Sequence, residues 1–181
     1  MNPTSFKKGF TLIELLVVIA IIGLLSSIIF ASLTTARMKG RDAVRLSGMN
    51  EIQKALELYY ANHGKYPDTI YGTEGALGCS GWDIGYFNSS DTFIPQLVTD
   101  GIFTKTPGDP TTTGCNGYYY FRYVAASWYP ANGCQNKSFY VLGIRNLEAT
   151  TGIYPNNPGW DCTIQHWNTG SFEWFTGKYE D

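Results

Sequence analysis

The feature that most constrains this chain is a long apolar segment near its N-terminus. It covers residues 10–33, and its polar side chains are only Thr11, Glu14, Ser26, Ser27 and Ser32. About 20 apolar residues span the hydrocarbon core of a membrane as a helix, and that helix must pair all of its backbone groups internally. The segment therefore predicts a membrane-spanning helix to which the rest of the 181-residue chain is attached.

Glu14 distinguishes this segment from other N-terminal apolar segments. A carboxylate inside a spanning helix costs about 2.5–3.5 kcal/mol on insertion scales, so such residues usually have a partner. A secretory signal peptide would have a shorter apolar core before a small-residue cleavage site. An ordinary anchor fits the length but gives no reason for Glu14. If the chain began at Phe10, a free α-amine would lie one helical turn from Glu14 or within reach of a neighbouring copy.

The residues around this position carry a specific resemblance. Residues 7–23, KKGFTLIELLVVIAIIG, resemble the N-terminal signature of type IV pilins and type II secretion pseudopilins. The resemblance implies that a prepilin peptidase cuts between Gly9 and Phe10, that Phe10 is N-methylated, and that Glu14 and Phe10 act in assembly. The apolar helix is then retained. Pilins often carry a proline where this chain has Ala31, so unwinding of the helix on assembly stays open.

The resemblance also implies a location and a set of partners. Before assembly the chain is a single-pass membrane protein with its N-terminus in the cytoplasm and its C-terminal domain outside. Afterwards it belongs to an extracellular pilus or an envelope-spanning pseudopilus. The implied partners are further copies in a helical filament, the prepilin peptidase, an inner-membrane assembly platform and, before assembly, membrane lipid. Charge alone does not give this orientation, because two basic residues precede the helix and four follow it: Lys7, Lys8, Arg37, Lys39, Arg41 and Arg45.

Beyond residue 33 the sequence predicts that the helix continues with one apolar face. Apolar or small residues recur at three- and four-residue spacings, which is the helical period. The predicted face consists of Val44, Gly48, Ile52, Ala55, Leu56, Tyr59 and Tyr60. His63 and Gly64, followed by Pro67, predict the end of the helix. Residues 49–67 also resemble the corresponding stretch of major, G-like pseudopilins.

The C-terminal part predicts a small antiparallel sheet. Residues 118–126, 138–145 and 172–176 are rich in aromatic and β-branched residues, which favours strands. Residues 68–93 predict an irregular connection, and residues 93–97 a helical turn capped by Asp91. The fold class is α+β: a long N-terminal helix on an antiparallel sheet of three or four strands, the pilin fold. The predicted segments are a leader (1–9), an assembly helix (10–33), its amphipathic half (34–64), a helix-to-sheet connection (65–116) and the sheet with a C-terminal loop (117–181).

Four cysteines lie in the polar part of the chain: Cys79, Cys115, Cys134 and Cys162. No two have the CxxC spacing of a zinc site, and an even number beyond a membrane segment indicates two disulfides in an oxidising compartment. Cys115 and Cys134 would lie about 25 Å apart, at opposite ends of a hairpin, whereas a disulfide needs Cα atoms within about 7 Å. Two connectivities remain: Cys115–Cys162 with Cys79–Cys134, or Cys79–Cys115 with Cys134–Cys162.

The sequence argues against several classes of function. From Leu46 onward 13 acidic residues outnumber 7 basic ones, so direct nucleic-acid binding is not predicted. Motifs for nucleophilic, phosphate, zinc or dinucleotide chemistry are lacking, and no enzyme is predicted. No cofactor is expected. Major pseudopilins bind calcium through C-terminal aspartates, but near Asp161 their Asp-Gly pattern is missing. No metal ligand is therefore assigned, and a calcium site is kept as the lesser alternative.

Three functions follow, in order of preference. The first is a structural subunit of a type IV pilus or related filament. The second is a pseudopilin of a type II secretion or DNA-uptake machine. The third, of another class, is a membrane-anchored extracellular binding domain.

Overall fold

A computed structural model describes residues 9–70, 81–85, 93–111, 114–125, 134–150, 152–160, 162 and 172–181. The chain separates into two units, Met1–Met38 and Lys39–Asp181. We call the second unit the head. Helix α1, Leu12–His63, contributes to both units.

Helix α1 ends where the sequence predicts. Gly64 has φ 67°, a left-handed conformation that favours glycine, and its N–H donates to the Tyr60 carbonyl over 2.8 Å. No proline interrupts the sequence between Leu12 and His63. The prediction of one continuous helix to His63 is therefore confirmed.

The head contains a four-stranded antiparallel sheet. Its strands are β1 (Asp83–Gly85), β2 (Tyr118–Tyr123), β3 (Phe139–Ile144) and β4 (Trp174–Tyr179), in the order β1-β2-β3-β4. Tyr120 lies opposite Leu142 of β3, which in turn lies opposite Thr176 of β4. The three predicted strands are present, but the last begins two residues later than predicted and extends to Tyr179. A short 3-10 turn, Gly114–Asn116, precedes β2.

Strand β1 corrects the prediction of an irregular connection through residues 68–93. Asp and Gly disfavour strands, so the sequence of β1 gives little signal, and pairing with β2 fixes its conformation instead. The nearby helix α2 is Pro95–Thr99. The predicted cap, Asp91, lies outside the described residues. The cap position belongs to Ile94, whose backbone N–H donates to the buried Asp83 carboxylate over 3.0 Å.

Both faces of the sheet are buried. One face packs on α1 and α2 through alternating residues of the strands, among them Tyr118, Tyr120, Tyr140, Leu142, Ile144 and Trp174. The other face carries a second aromatic core, which includes Tyr119, Tyr123, Phe139, Val141, Phe172 and Phe175. At Gly143 a Cβ would lie 2.8 Å from the Phe172 ring, so glycine lets that ring approach the strand. The sequence pattern predicts only the face that the helix covers.

Candidate functional site

The N-terminal unit begins with a reciprocal hydrogen-bonding arrangement between Thr11 and Glu14. The backbone N–H and the hydroxyl of Thr11 donate to Oε2 of Glu14 over 2.8 Å and 2.7 Å. In return, the Glu14 N–H donates to the Thr11 hydroxyl over 3.3 Å. This is a capping box, which satisfies backbone donors that the first helical turn leaves unpaired. Sequence reasoning missed it, although the spacing of a threonine and a glutamate three residues later is its usual signal.

The capping box gives Glu14 a partner inside the helix, in addition to the partner predicted from the sequence, the Phe10 amine. In the uncleaved chain Glu14 has a partner, Thr11, next to the proposed cleavage position. Both contacts end on Oε2, and Oε1 has no hydrogen bond within the described part of the chain. Phe10, the predicted source of a free amine, precedes the helix and is 79% exposed. Its pairing with Glu14 requires cleavage after Gly9 and stays a prediction.

The large apolar side chains of this unit are exposed. Every large apolar residue in residues 10–33 is at least 43% exposed. By length and composition α1 is the one helix in the described residues that can cross a membrane. A signal sequence could have the same properties, so the residues flanking the apolar segment must decide between the two. The exposed surface requires a cover of lipid or of other chains.

At the start of the head, α1 buries a charged cluster around Arg45. The Arg45 side chain is fully buried, with its Nε 2.8 Å from Asp109 and one terminal nitrogen 2.8 Å from Asp42. The other terminal nitrogen donates to the Thr111 hydroxyl over 2.6 Å and lies 2.7 Å from Glu148. Buried charges are stable only when paired in this way. The cluster ties α1 to two loops of the head.

Glu148 and Asp42 extend the cluster. Glu148 accepts hydrogen bonds from Arg41, whose Nε lies 2.8 Å and 2.9 Å from its two oxygens. Asp42 accepts the backbone N–H groups of Glu148 and Ala149 over 2.8–3.1 Å. Hydrogen bonds from Arg41 and then Arg45 lower the pKa of Glu148 to about 2, against the effect of burial. Burial alone would lower the pKa of Arg45, but its carboxylate partners raise it well above the ordinary value.

Sequence reasoning missed this cluster and misplaced one residue of the helix face. Val44 was predicted to be buried, and it is 57% exposed. The buried line instead runs through Arg45, Met49, Ile52, Leu56 and Tyr59, at spacings of three and four residues. Val44 lies about 100° around the helix from Arg45. The signal was present, because Arg45 and Asp42 are in phase with the apolar line, but charged residues are rarely buried.

The disulfides decide between the two open connectivities. Cys134 is bonded to Cys162, with Cα atoms 4.7 Å apart. Cys115 is also disulfide-bonded, and the predicted exclusion of a Cys115–Cys134 bond is confirmed. The observed pair belongs to the second connectivity, and Cys79, the partner which that connectivity predicts for Cys115, lies outside the described part of the chain. The bond lies among the aromatic residues of the second core.

The described residues contain no group of three or more His, Cys, Asp and Glu side chains that could hold a metal ion. Asp161 lies outside them.

His63 lies at the end of α1, where it stacks on Tyr59 and contacts the Asp100 carboxylate. A second charged group joins Arg122 to Glu180 and Asp68 over 2.7 Å each and fixes the end of β4. These arrangements hold the head together and do not resemble a catalytic site.

Comparison with known proteins places these features in a family. Residues 4–30 match the family model described as the prokaryotic N-terminal methylation motif. Type II secretion system core protein G of Escherichia coli K12 is 35% identical over 113 residues, which are 61% of this chain and 70% of that protein.

Two pilins match over shorter stretches. Type IV wide pilus major component PilA4 of Thermus thermophilus is 42% identical over 59 residues, 33% of this chain and 45% of that protein. Type IV major pilin protein PilE1 of Neisseria gonorrhoeae is 45% identical over 67 residues, 35% of this chain and 39% of that protein. The chain thus spans less than half the length of either pilin. No solved structure is a significant match. With an N-terminal methylation motif and a similarity that covers more than two thirds of a core protein G, the chain belongs to the family of type IV pilins and type II secretion pseudopilins.

Proposed function

We propose that this chain is a structural subunit of a type IV pilus or a related filament. A prepilin peptidase removes residues 1–9, Phe10 is N-methylated, and the subunits polymerise through the N-terminal unit. The observation that carries the proposal is the exposure of every large apolar side chain in residues 10–33, next to the methylation motif. Such a surface is stable only in lipid or against like helices.

Glu14 supplies register in this mechanism. Transfer of α1 from lipid to a bundle of like helices changes apolar burial little, so apolar contact alone does not fix the axial position of a subunit. A carboxylate and an ammonium group attract strongly in a medium of low dielectric constant. The capping box holds Oε2 of Glu14, and Oε1 is then available to the Phe10 amine of a neighbouring subunit. Correct register is favoured because an unpaired Glu14 is costly there.

The same proposal sets the location of each part before assembly. The leader faces the cytoplasm, where the peptidase and the assembly platform act on the subunit, and the head lies outside. The Cys134–Cys162 bond supports an oxidising compartment for the head. The chain acts through assembly in this proposal and is not an enzyme.

Mass spectrometry of the mature N-terminus tests the processing step. We expect a chain that begins at Phe10 and carries one added methyl group on its α-amine. Glu14→Gln should give the same N-terminus, since Glu14 is proposed to act after cleavage. A mature protein that retains Met1 would contradict the proposal.

A pair of Glu14 variants tests the assembly step. Glutamine keeps the capping box but removes the charge, whereas alanine removes both. We expect Glu14→Gln and Glu14→Ala to enter the membrane and to be absent from filaments. Glu51→Gln, at another exposed glutamate of α1, is the matched control and should assemble normally. Assembly of the glutamine variant but not of the alanine variant would assign Glu14 to capping and not to charge pairing.

A pseudopilin is the second candidate, and the extent of similarity favours it. The match to core protein G covers 113 residues, more than the 59 and 67 residues matched in the two pilins. A pilus subunit should appear in the fraction sheared from intact cells, and a pseudopilin should stay with the envelope. A membrane-anchored binding domain would instead remain monomeric in cross-linking of either fraction.

A further inference from the structure

In the sheet that the structure describes, β4 is an edge strand, and part of its outer edge has no partner. Antiparallel neighbours bond through every second residue, so the residues between turn their backbone groups away from the neighbouring strand. The Glu180 N–H faces inward and donates to the Ser138 carbonyl, just before β3, over 2.8 Å. The backbone groups of Phe175 face outward. Gly177 and Tyr179 share the orientation of Phe175, because they follow it by two and four residues.

The outer edge at Phe175 already binds a loop of the head. The Phe175 N–H donates to Oδ1 of Asn157 over 2.8 Å, and its carbonyl accepts the Gly159 N–H over 3.2 Å. Among the residues described, the backbone groups of Gly177 and Tyr179 have no such partner. Each of the two residues has one backbone donor and one backbone acceptor. This is the pattern with which another extended chain can pair.

A groove lies beside this open edge, between α1 and β4. Its volume is about 380 Å³, and Gly177 contributes to its wall. On the inner wall the Gln53 amide donates to the hydroxyl of Thr176, which is buried, over 3.3 Å. The helix side of the groove consists of residues spaced along one face of α1: Asn50, Gln53, Lys54 and Glu57. The groove is therefore polar and large enough for a side chain.

The groove carries one positive charge that the head does not neutralise. The ammonium group of Lys178 lies 2.6 Å from the Glu57 carboxylate. Lys54 is exposed, and it has neither a hydrogen bond nor an ion pair in the described part of the chain. Two lysines and one glutamate line the groove, which leaves a net charge of +1. An acidic side chain is the occupant that complements this charge.

We propose that the outer edge of β4 binds an extended acidic segment of a partner protein, which adds to the four-stranded sheet as a further strand. Its backbone pairs with Gly177 and Tyr179 at about 4.8 Å from β4. Every second side chain of the added strand points to the face on which Thr176 and Lys178 contact α1. An acidic side chain there enters the groove and pairs with Lys54. Main-chain pairing supplies affinity in this mode of binding, and the groove supplies specificity.

Hydrogen exchange of the full chain in detergent tests whether the edge is open. The N–H groups of Thr176 and Lys178 face β3, and they should exchange at least about tenfold more slowly than those of Gly177 and Tyr179. Equal protection of all four would overturn the proposal, because the edge would then be covered within the chain. Protection of Gly177 and Tyr179 that rises with protein concentration alone would also overturn it, since the occupant would then be a second copy.

A titration with a synthetic peptide tests the proposed occupant. The probe is the capped heptapeptide Thr-Val-Thr-Glu-Thr-Val-Thr, added to the isotope-labelled full chain and followed by NMR. The resonances of the Gly177 and Tyr179 N–H groups should shift, and both groups should become protected from exchange. A fully N-methylated version of the peptide should not bind, because it cannot donate to the strand. Unchanged resonances at millimolar peptide, or binding of the N-methylated version, would overturn the added strand.

A matched pair of lysine variants tests the role of the groove. Lys54→Gln should weaken binding of the glutamate peptide by about twofold to fivefold, the effect of one exposed ion pair. Binding of a peptide with glutamine in place of glutamate should not change in this variant. Lys105→Gln, at another exposed lysine of the head, should bind both peptides as the wild type does. Equal weakening in the two lysine variants would show a general attraction of opposite charges and would overturn the specific pairing with Lys54.

Discussion

The two units of this chain differ in which side chains they leave exposed. In the N-terminal unit leucine, isoleucine and valine side chains are exposed, whereas in the head the side chain of Arg45 has no exposed surface. The head supplies three carboxylates for that arginine and covers both faces of its sheet. The N-terminal unit supplies no cover for its own apolar surface. The described residues of the head therefore bury their charged cluster and both faces of the sheet within one chain, whereas those of the N-terminal unit leave their large apolar side chains exposed.

The carboxylates of the two units differ in how many of their oxygens have hydrogen-bond partners. Asp42 accepts hydrogen bonds from Arg45 and from two backbone N–H groups, and Asp109 pairs with Arg45. In Glu14, by contrast, only Oε2 has a partner in the described residues. A carboxylate whose two oxygens both have partners stabilises one fold, while a carboxylate with an unpaired oxygen can bind a group of another chain. This difference supports the proposed division, in which the head supplies stability and the N-terminal unit supplies assembly.

Arg45→Met is the variant with the largest expected effect on the stability of the head. The substitution keeps the apolar stem but leaves the buried Asp109 and Asp42 without their cation. Removing one partner of a buried ion pair typically costs about 3–5 kcal/mol. We expect a loss of that size in the free energy of unfolding of the full chain in detergent, followed by tryptophan fluorescence in a denaturant titration. Arg37→Met, at an exposed arginine of the same helix, should change it by less than about 0.5 kcal/mol. Equal effects of the two variants would show that the head does not depend on the cluster.

The disulfide gives the next largest effect. Replacement of both Cys134 and Cys162 by alanine removes a bond that joins residues 28 positions apart. Loops of this length are expected to contribute about 2–4 kcal/mol by restricting the unfolded chain. The same denaturant titration should show that loss, while cleavage after Gly9 continues in cells. Loss of processing with an unchanged unfolding midpoint would contradict the separation between the two units.

Two glycine substitutions test how tightly each environment is packed. An alanine Cβ at Gly143 would lie 2.8 Å from the Phe172 ring, and at Gly40 of α1 it would meet no atom within 4 Å. Gly143→Ala should cost about 1–3 kcal/mol through overpacking. Gly40→Ala should stabilise the chain by up to about 1 kcal/mol, because alanine favours a helix. Thermal unfolding measures both. A neutral Gly143→Ala would mean that Phe172 moves easily and that the second core is loosely packed.

The pH dependence of stability isolates Glu148. Its pKa is about 2 in the folded head and 4.5 as the reference value, so its carboxylate stabilises the fold above about pH 4.5. That contribution is lost as the pH falls toward 2. Because the side chain is 26% exposed, we expect on the order of 1–2 kcal/mol. Unfolding of the wild type and of Glu148→Gln between pH 6 and pH 2 should converge at low pH. Parallel curves would contradict this role, and Glu51→Gln is the exposed control.

The sequence predicts the parts of this fold that depend on local pattern. Gly64 ends α1 because it adopts a left-handed conformation that few other residues tolerate. The aromatic runs of β2 and β3 predict strands because such side chains pack well on a pleated surface. Strand β1 escapes prediction because its three residues take their conformation from pairing with β2.

Burial is harder to predict than secondary structure. Arg45 escapes prediction because its partners, Asp109 and Glu148, are 64 and 103 positions away in the sequence. The second core escapes prediction because Phe172 and the disulfide cover it from distant segments. A signal for it exists in Tyr118–Tyr123, where apolar residues do not alternate with polar ones, which is typical of strands buried on both faces. At Glu14 the sequence predicts a partner, but only the structure adds the capping box with Thr11.

Glu14→Gln is expected to have the smallest effect on stability, and it tests directly whether assembly and stability belong to different units. Glu14→Gln keeps the capping box, because an amide oxygen can accept the Thr11 hydrogen bonds, and it removes only the charge. The free energy of unfolding of the head should therefore change by less than about 0.5 kcal/mol, while filaments are lost. Fluorescence-monitored unfolding in detergent and the sheared filament fraction give the two measurements on one variant. Arg45→Met is the reciprocal case, with a large loss of stability in the head and normal cleavage after Gly9. If Glu14→Gln both lowered the free energy of unfolding of the head and impaired assembly, the two units would share one function, and the assignment of assembly to Glu14 would fail.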